Sequence, residues 1–174
     1  LRCAAGDTWH WDGVIFTFLH PELARPPMSS TDSNAKRKFK TRKNARSCVL
    51  KISGRHHTVL LPGDLPAQQE RTLVHQYAGA LRADVVIAPH HGSASSSSAE
   101  FVRATQAQHA IALVGYRNRF RHPDLAVQRR WHKAGAMFWR SDLHGALTVR
   151  SKDSKLTVER QRDVGRRYWH PERN

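Results

Sequence analysis

Acidic residues are scarce in this chain of 174 residues: 14 Asp+Glu stand against 29 Lys+Arg, a formal net charge of +15. An excess of that size points to a polyanionic partner, either nucleic acid or an anionic membrane surface, without choosing between them. Long apolar runs are absent as well. The longest, residues 14–19 and 85–89, have strand length, far short of the roughly 18 to 20 residues a membrane helix needs, so the segment reads as soluble. Cysteine is limited to Cys3 and Cys48, which leaves one disulfide or two buried thiols. A basic leader followed by an apolar core is missing too, and the chain opens on Leu1 with residues that already read as a turn entering a strand. The expectation is therefore a part of something longer.

What is present suits one globular core. The length excludes two large domains, and recurrent apolar runs with five Trp argue against disorder of the whole.

Residues 9–13 read as a turn into a strand over 14–19, stopped by Pro21. A loop by composition follows, then a basic block over residues 36–46 with Lys36, Arg37, Lys38, Lys40, Arg42, Lys43 and Arg46 and no acid. Such a self-repelling block is solvated and suited to phosphates. Residues 47–52 and 58–61 read as a hairpin with His56 and His57 at its tip facing solvent, and the second strand runs into Pro62-Gly63-Asp64. Leu73, Val74 and Tyr77 predict a helix over 67–80, and residues 84–88 a strand covered on both faces, ending at Pro89-His90-His91-Gly92-Ser93. The serine run 95–98 reads as the N-cap of a helix starting near Glu100. A buried strand over 110–115, a helix over 123–134 begun by Pro123, strands over 137–140 and 145–149 and a further strand over 156–159 complete the pattern. Strands alternating with helices predict an α/β layered fold with function in the loops at the strand ends.

Two of those loops carry metal-compatible chemistry. Asp64, after a strand and a glycine, reads either as a cation ligand or as the cap of the next helix. The pair His90 and His91 reads either as imidazole ligands delivered to the same layer, a donor set suited to Zn or Mn, or as turn histidines. Two ligands are fewer than the three of a catalytic site, and neither HxHxDH nor HExxH occurs. Asn118 and His122 in one loop, and Asp142 and His144 in another, could hold a phosphate or steady a metal ligand, and are equally ordinary turn material.

The series Asn44-Ala45-Arg46-Ser47-Cys48-Val49-Leu50, Leu60-Leu61-Pro62-Gly63-Asp64, Ala88-Pro89-His90-His91-Gly92-Ser93, the stretch from Val114 to Pro123 and Asp142-Leu143-His144-Gly145-Ala146 resembles the C-terminal metallo-β-lactamase-like domain of ComEC-type DNA-internalisation (competence) proteins. The resemblance implies an αββα sandwich represented mainly by its C-terminal half over residues 1–150, followed by a basic C-terminal extension over 151–174. The first half, with an HxDxDH-like ligand cluster, would lie outside the chain. It implies Asp64 as a bridging carboxylate and His91, or else His90, as an imidazole ligand, with Asp64 and His91 catalytic. Asn44 stands where the superfamily often has a further histidine. Asn44, Ser47, Ser93, Asn118, His122, Asp142 and His144 fall on the substrate side, and Lys36, Arg37, Lys38, Lys40, Arg42 and Lys43 on the DNA-binding side. A complete domain would hold two divalent ions, Zn or Mn, use no small-molecule cofactor, and hydrolyse phosphodiesters of single- or double-stranded DNA. It would belong to a protein embedded in the bacterial inner membrane, with this domain on the extracytoplasmic side. The segment by itself is expected to be weakly active or inactive. The alternative is a non-catalytic DNA-binding module with a vestigial metal site.

Overall fold

Short apolar strands separated by polar turns pair here into one sheet, because each strand carries a row of side chains that water would otherwise surround. The computed structural model describes residues 3–22 and 43–165. In chain order the elements are β1 (Thr8–Trp11), β2 (Val14–His20), β3 (Val49–Ser53), β4 (Thr58–Leu61), α1 (Ala67–Tyr77), β5 (Val85–Ile87), α2 (Ala99–Thr105), β6 (His109–Ala112), α3 (Leu125–Lys133), β7 (Met137–Arg140), the single turn α4 (Ser141–His144), β8 (Leu147–Lys152), β9 (Lys155–Arg160) and the single turn α5 (Gln161–Val164). Strands β1 to β7 form a seven-stranded sheet in sequence order, and β8 and β9 a separate hairpin. Pairings from β1 to β4 are antiparallel and those from β4 to β7 parallel. The α/β reading is borne out.

Side chains alternate across a strand, so register decides which face each apolar residue serves. Leu60 pairs with Val86, Val86 with Ala110 and Ala110 with Phe138. That row faces the helices and packs with Leu73, Phe101, Val102, Val127 and Trp131 in the core. Leu60, Leu73, Phe101 and Trp131 have no exposed surface, and full burial of such a side chain is worth roughly 1.5–3 kcal/mol. The opposite face carries a second apolar row, Trp9–Phe16–Ile52–Val59–Val85. It grades from buried Val85 to Trp9, 41% exposed.

Several expected boundaries move, each for a local reason. Residues 9–13 are not a turn into a strand: Thr8–Trp11 pairs with the next strand, and Asp12 and Gly13, both at positive φ, make the turn. Helix α3 is begun by Asp124, whose carboxylate accepts the N–H groups of Ala126 and Val127, and not by Pro123. The strand expected over 110–115 runs from His109 to Ala112, and that over 145–149 from Leu147 to Lys152, through residue 150. The serine run does cap a helix, since Ser98 Oγ accepts from Phe101 N, and Ser96, Ser97 and Ser98 are buried. Of the basic block, Lys36, Arg37, Lys38, Lys40 and Arg42 lie outside the described residues, while Lys43 is exposed beside a one-turn 3-10 helix, Asn44–Arg46. Among the described residues no helix is long and apolar enough to cross a membrane.

Cys3 and Cys48 form a disulfide across a separation of 45 residues. It ties the segment before β1 to the start of β3. Closing a loop of this size removes about 4 kcal/mol of unfolded-state entropy at 25 °C. Replacing both cysteines with serine should lower the unfolding free energy by about 3–4 kcal/mol in a denaturant titration, and reducing agent should have no further effect on that variant.

His109 is buried and its Nδ1 accepts the indole N–H of Trp139 at 3.0 Å. Indole nitrogen only donates, so the imidazole is neutral with its proton on Nε2. Burial holds the pKa of His109 below its ordinary 6.5. The unfolded chain therefore takes up the proton first on acidification, and the stability present above about pH 6.5 is lost as the pH falls through the folded value. Denaturant titrations at neutral and mildly acidic pH should show a smaller acid loss for His109→Asn, which keeps an acceptor for Trp139, than for the unaltered chain.

Candidate functional site

Parallel strands deliver their carboxyl-end loops to one edge of a sheet. Here β4 leads to Gly63-Asp64, β5 to His90-His91-Gly92, and β6 to the loop ending at His122. Gly63 has φ +58 and presses against Ser47, where a Cβ would come within 3.3 Å of the serine side chain. His90 N donates to Gly63 O at 2.9 Å and binds the first loop to the second.

Asp64 and His91 come together: Nε2 of His91 lies 3.4 Å from Oδ1 of Asp64, both side chains being about half-exposed. The other ring nitrogen, Nδ1, lies 2.9 Å from the carbonyl oxygen of Leu113. A carbonyl only accepts, so Nδ1 carries a proton and Nε2 presents either a lone pair or a second proton to the carboxylate. A histidine held through Nδ1 by a backbone carbonyl is oriented as metal-bound histidines are. Two atoms each about 2.0–2.2 Å from one ion at a tetrahedral angle lie about 3.4 Å apart. The pair thus fits two corners of a cation site. It does not make a whole one, because a catalytic zinc takes three protein ligands and among the described residues no group of three or more His, Cys, Asp or Glu could hold an ion.

His90 points to different partners. Its Nε2 is 3.5 Å from Nδ2 of Asn44 and its Nδ1 3.5 Å from Oγ of Ser95, and its ring meets that of His122 edge-on at 6.1 Å. Burial lowers the pKa of His122, and His90 and His91 lower it further against the opposing pull of Asp124. Both His90 and His91 take left-handed backbone angles, φ 50 and φ 57, at a cost of about 1–2 kcal/mol each. Strain of this kind concentrates where side chains are aimed for function.

The remaining sequence candidates divide. Asn44 joins the cluster through His90, and Ser47 through its packing on Gly63. Asn118 spends its amide on its own loop, donating to Gly115 O and His122 O and accepting from His122 N. Ser93 Oγ pairs with Ser95 Oγ. Asp142 is held by a bidentate pair with Arg140, and His144 accepts from Arg140 N and lies against Trp139.

Sequence reasoning missed two supports. Leu113 O is a backbone atom that no side-chain pattern can flag. Glu70, fully buried on α1, accepts from Ser97 N and Ser98 N at 2.6 Å each and so anchors the serine loop that follows the histidines. Burial pushes its carboxyl up, against the pull of those donors and of Arg130.

Comparison with known proteins finds no matching family model. The chain is 36% identical to competence protein ComA of Neisseria gonorrhoeae over 97% of its own length and 22% of that protein's. It is 31% identical to ComE operon protein 3 of Bacillus subtilis over 85% of the chain and 17% of the relative. It is 26% identical to recombination protein 2 of Haemophilus influenzae over 92% and 18%. The chain spans about a fifth of the length of the curated relatives it matches.

Gly92 locks the histidine turn against the loop from β6. Its φ is +79, and a Cβ there would lie 2.6 Å from Cβ of Pro123. Gly92→Ala combines left-handed strain with overpacking, so denaturant titration should show a loss of at least about 2 kcal/mol.

Proposed function

We propose that the chain is a segment of a competence protein that handles DNA during uptake, contributing part of a metal-dependent phosphodiesterase site. The observation that carries this reading is the 36% identity to a competence protein across 97% of the chain. The cluster of Asp64, His90, His91 and His122 at one sheet edge and the charge of +15 support it. Asp64 and His91 would supply two ligands for Zn or Mn, the rest coming from outside these 174 residues. An ion so held would lower the pKa of a bound water and stabilise charge on the reacting phosphate.

The half-exposed row from Trp9 to Val59 supports a second sheet packing on that face, as in a metallo-β-lactamase-like sandwich. The Cys3–Cys48 bridge supports an oxidising, extracytoplasmic setting beside the membrane-embedded remainder of the parent. A second reading, a non-catalytic DNA-binding module, is favoured by the shortage of ligands among the described residues.

The two readings part in the complete parent protein. Asp64→Asn combined with His91→Ala should abolish Mn- or Zn-dependent plasmid cleavage and leave DNA retention nearly unchanged. Cleavage at the unaltered rate would overturn the site. A parent that retains DNA in a salt-sensitive way and never cleaves it would establish the second reading.

A further inference from the structure

The loop between β6 and α3 presents rings and guanidinium groups to solvent together. Between Leu113 and His122 it holds Tyr116, Phe120, Arg117, Arg119 and Arg121 and no acidic residue, Asp124 being the first beyond it. Tyr116 is 60% and Phe120 64% exposed. Exposed apolar residues taken singly need no explanation; here each ring is matched to a cation. Arg117 lies over Tyr116 at 5.2 Å and Arg119 over Phe120 at 4.7 Å. The loop is also braced. The Asn118 amide ties Gly115 O to the His122 backbone, Arg121 N donates to Asn118 O, and Ser141 Oγ receives Val114 N at 2.7 Å. Phe120 stacks on His122 at 5.7 Å with 18° between the planes, and His122 in turn meets His90. A line of rings therefore leads from solvent to the histidine cluster.

We infer that residues 116–121 form a stacking platform for single-stranded nucleic acid. Unpaired bases take the place of the guanidinium groups on Tyr116 and Phe120, Arg117 and Arg119 swing with Arg121 to the adjoining phosphates, and the strand is directed toward His90, His91 and Asp64. Flat rings held rigidly beside guanidinium groups suit bases of any identity, because every base has a π-face. In a duplex those faces are already stacked and out of reach. A lipid surface is the poorer match, because Phe120 is stacked on His122 and the Asn118 amide pins the loop to itself, so the rings are not free to insert as a wedge. The inference rests on the DNA-handling reading and goes beyond it by assigning a site and a binding mode.

Fluorescence anisotropy with a labelled oligothymidylate and a duplex of equal length tests it on the 174-residue chain. Tyr116→Ala with Phe120→Ala should weaken oligothymidylate binding by roughly tenfold or more while duplex affinity holds, and Tyr116→Phe with Phe120→Tyr should retain binding. Replacing Arg117, Arg119 and Arg121 with Gln should lower the salt slope for the single strand by about 2. The platform is overturned if the double alanine variant binds oligothymidylate as tightly as the unaltered chain, or loses both DNAs equally. Ring-dependent capture by anionic vesicles, with oligothymidylate binding indifferent to the rings, overturns it in favour of a lipid surface. If the unaltered chain binds neither DNA, the platform fails, while the DNA-handling reading stands or falls with DNA retention by the complete parent; if the chain binds the duplex and the ring changes do nothing, only the platform fails.

Discussion

The parallel register of β4, β5 and β6 governs everything else of interest in this molecule. Leu60 beside Val86 beside Ala110 is a packing requirement, since a slip by one residue would turn each strand's apolar set away from the helices. Once that register holds, the loops after Leu61, Ile87 and Ala112 leave the sheet at one edge. Asp64, the two histidines and His122 meet because hydrophobic burial on the other side of the same strands leaves them no alternative.

Meeting at an edge does not orient side chains; polar contacts at the cluster and behind it do so. The Leu113 carbonyl holds one nitrogen of His91 and turns the other toward Asp64. The hydrogen bond from His90 N to Gly63 O couples the two loops. Behind them, Glu70 fastens the serine loop from inside the core, and Ala67 N adds a bond to Ser95 O. The disulfide closes the arrangement from the other side, since Cys48 directly follows the turn that carries Asn44 toward His90. Strain at His90 and His91 is tolerated because neighbours on every side over-determine that turn.

Much of this was legible in advance, unevenly. Apolar runs of strand length and the helical spacing of Leu73, Val74 and Tyr77 located most elements, because burial leaves a periodic trace. Asp64 and His91 were identifiable as a strand-end carboxylate and imidazole. The loop 116–121 was visible as turn material able to hold a phosphate and as part of a stretch that carries the resemblance; nothing in its composition distinguishes solvated arginines from Arg117 and Arg119 lying against rings, and that difference is a matter of distance. Pro123 suggested a helix start, but a carboxylate in reach of two free N–H groups outweighed it at Asp124.

Composition and periodicity by themselves settle the basic charge, the α/β class and the chemical types at each strand end, since these are local properties of residues and their spacing. Tertiary structure alone decided which nitrogen of His91 faces Asp64, that Asn118 closes its own loop, that Cys3 and Cys48 are paired, and that among the described residues no three metal-compatible side chains are placed to hold one ion. Each of those depends on atoms far apart in the chain reaching the same few ångströms, and such proximity is set by how the sheet registers and the core packs.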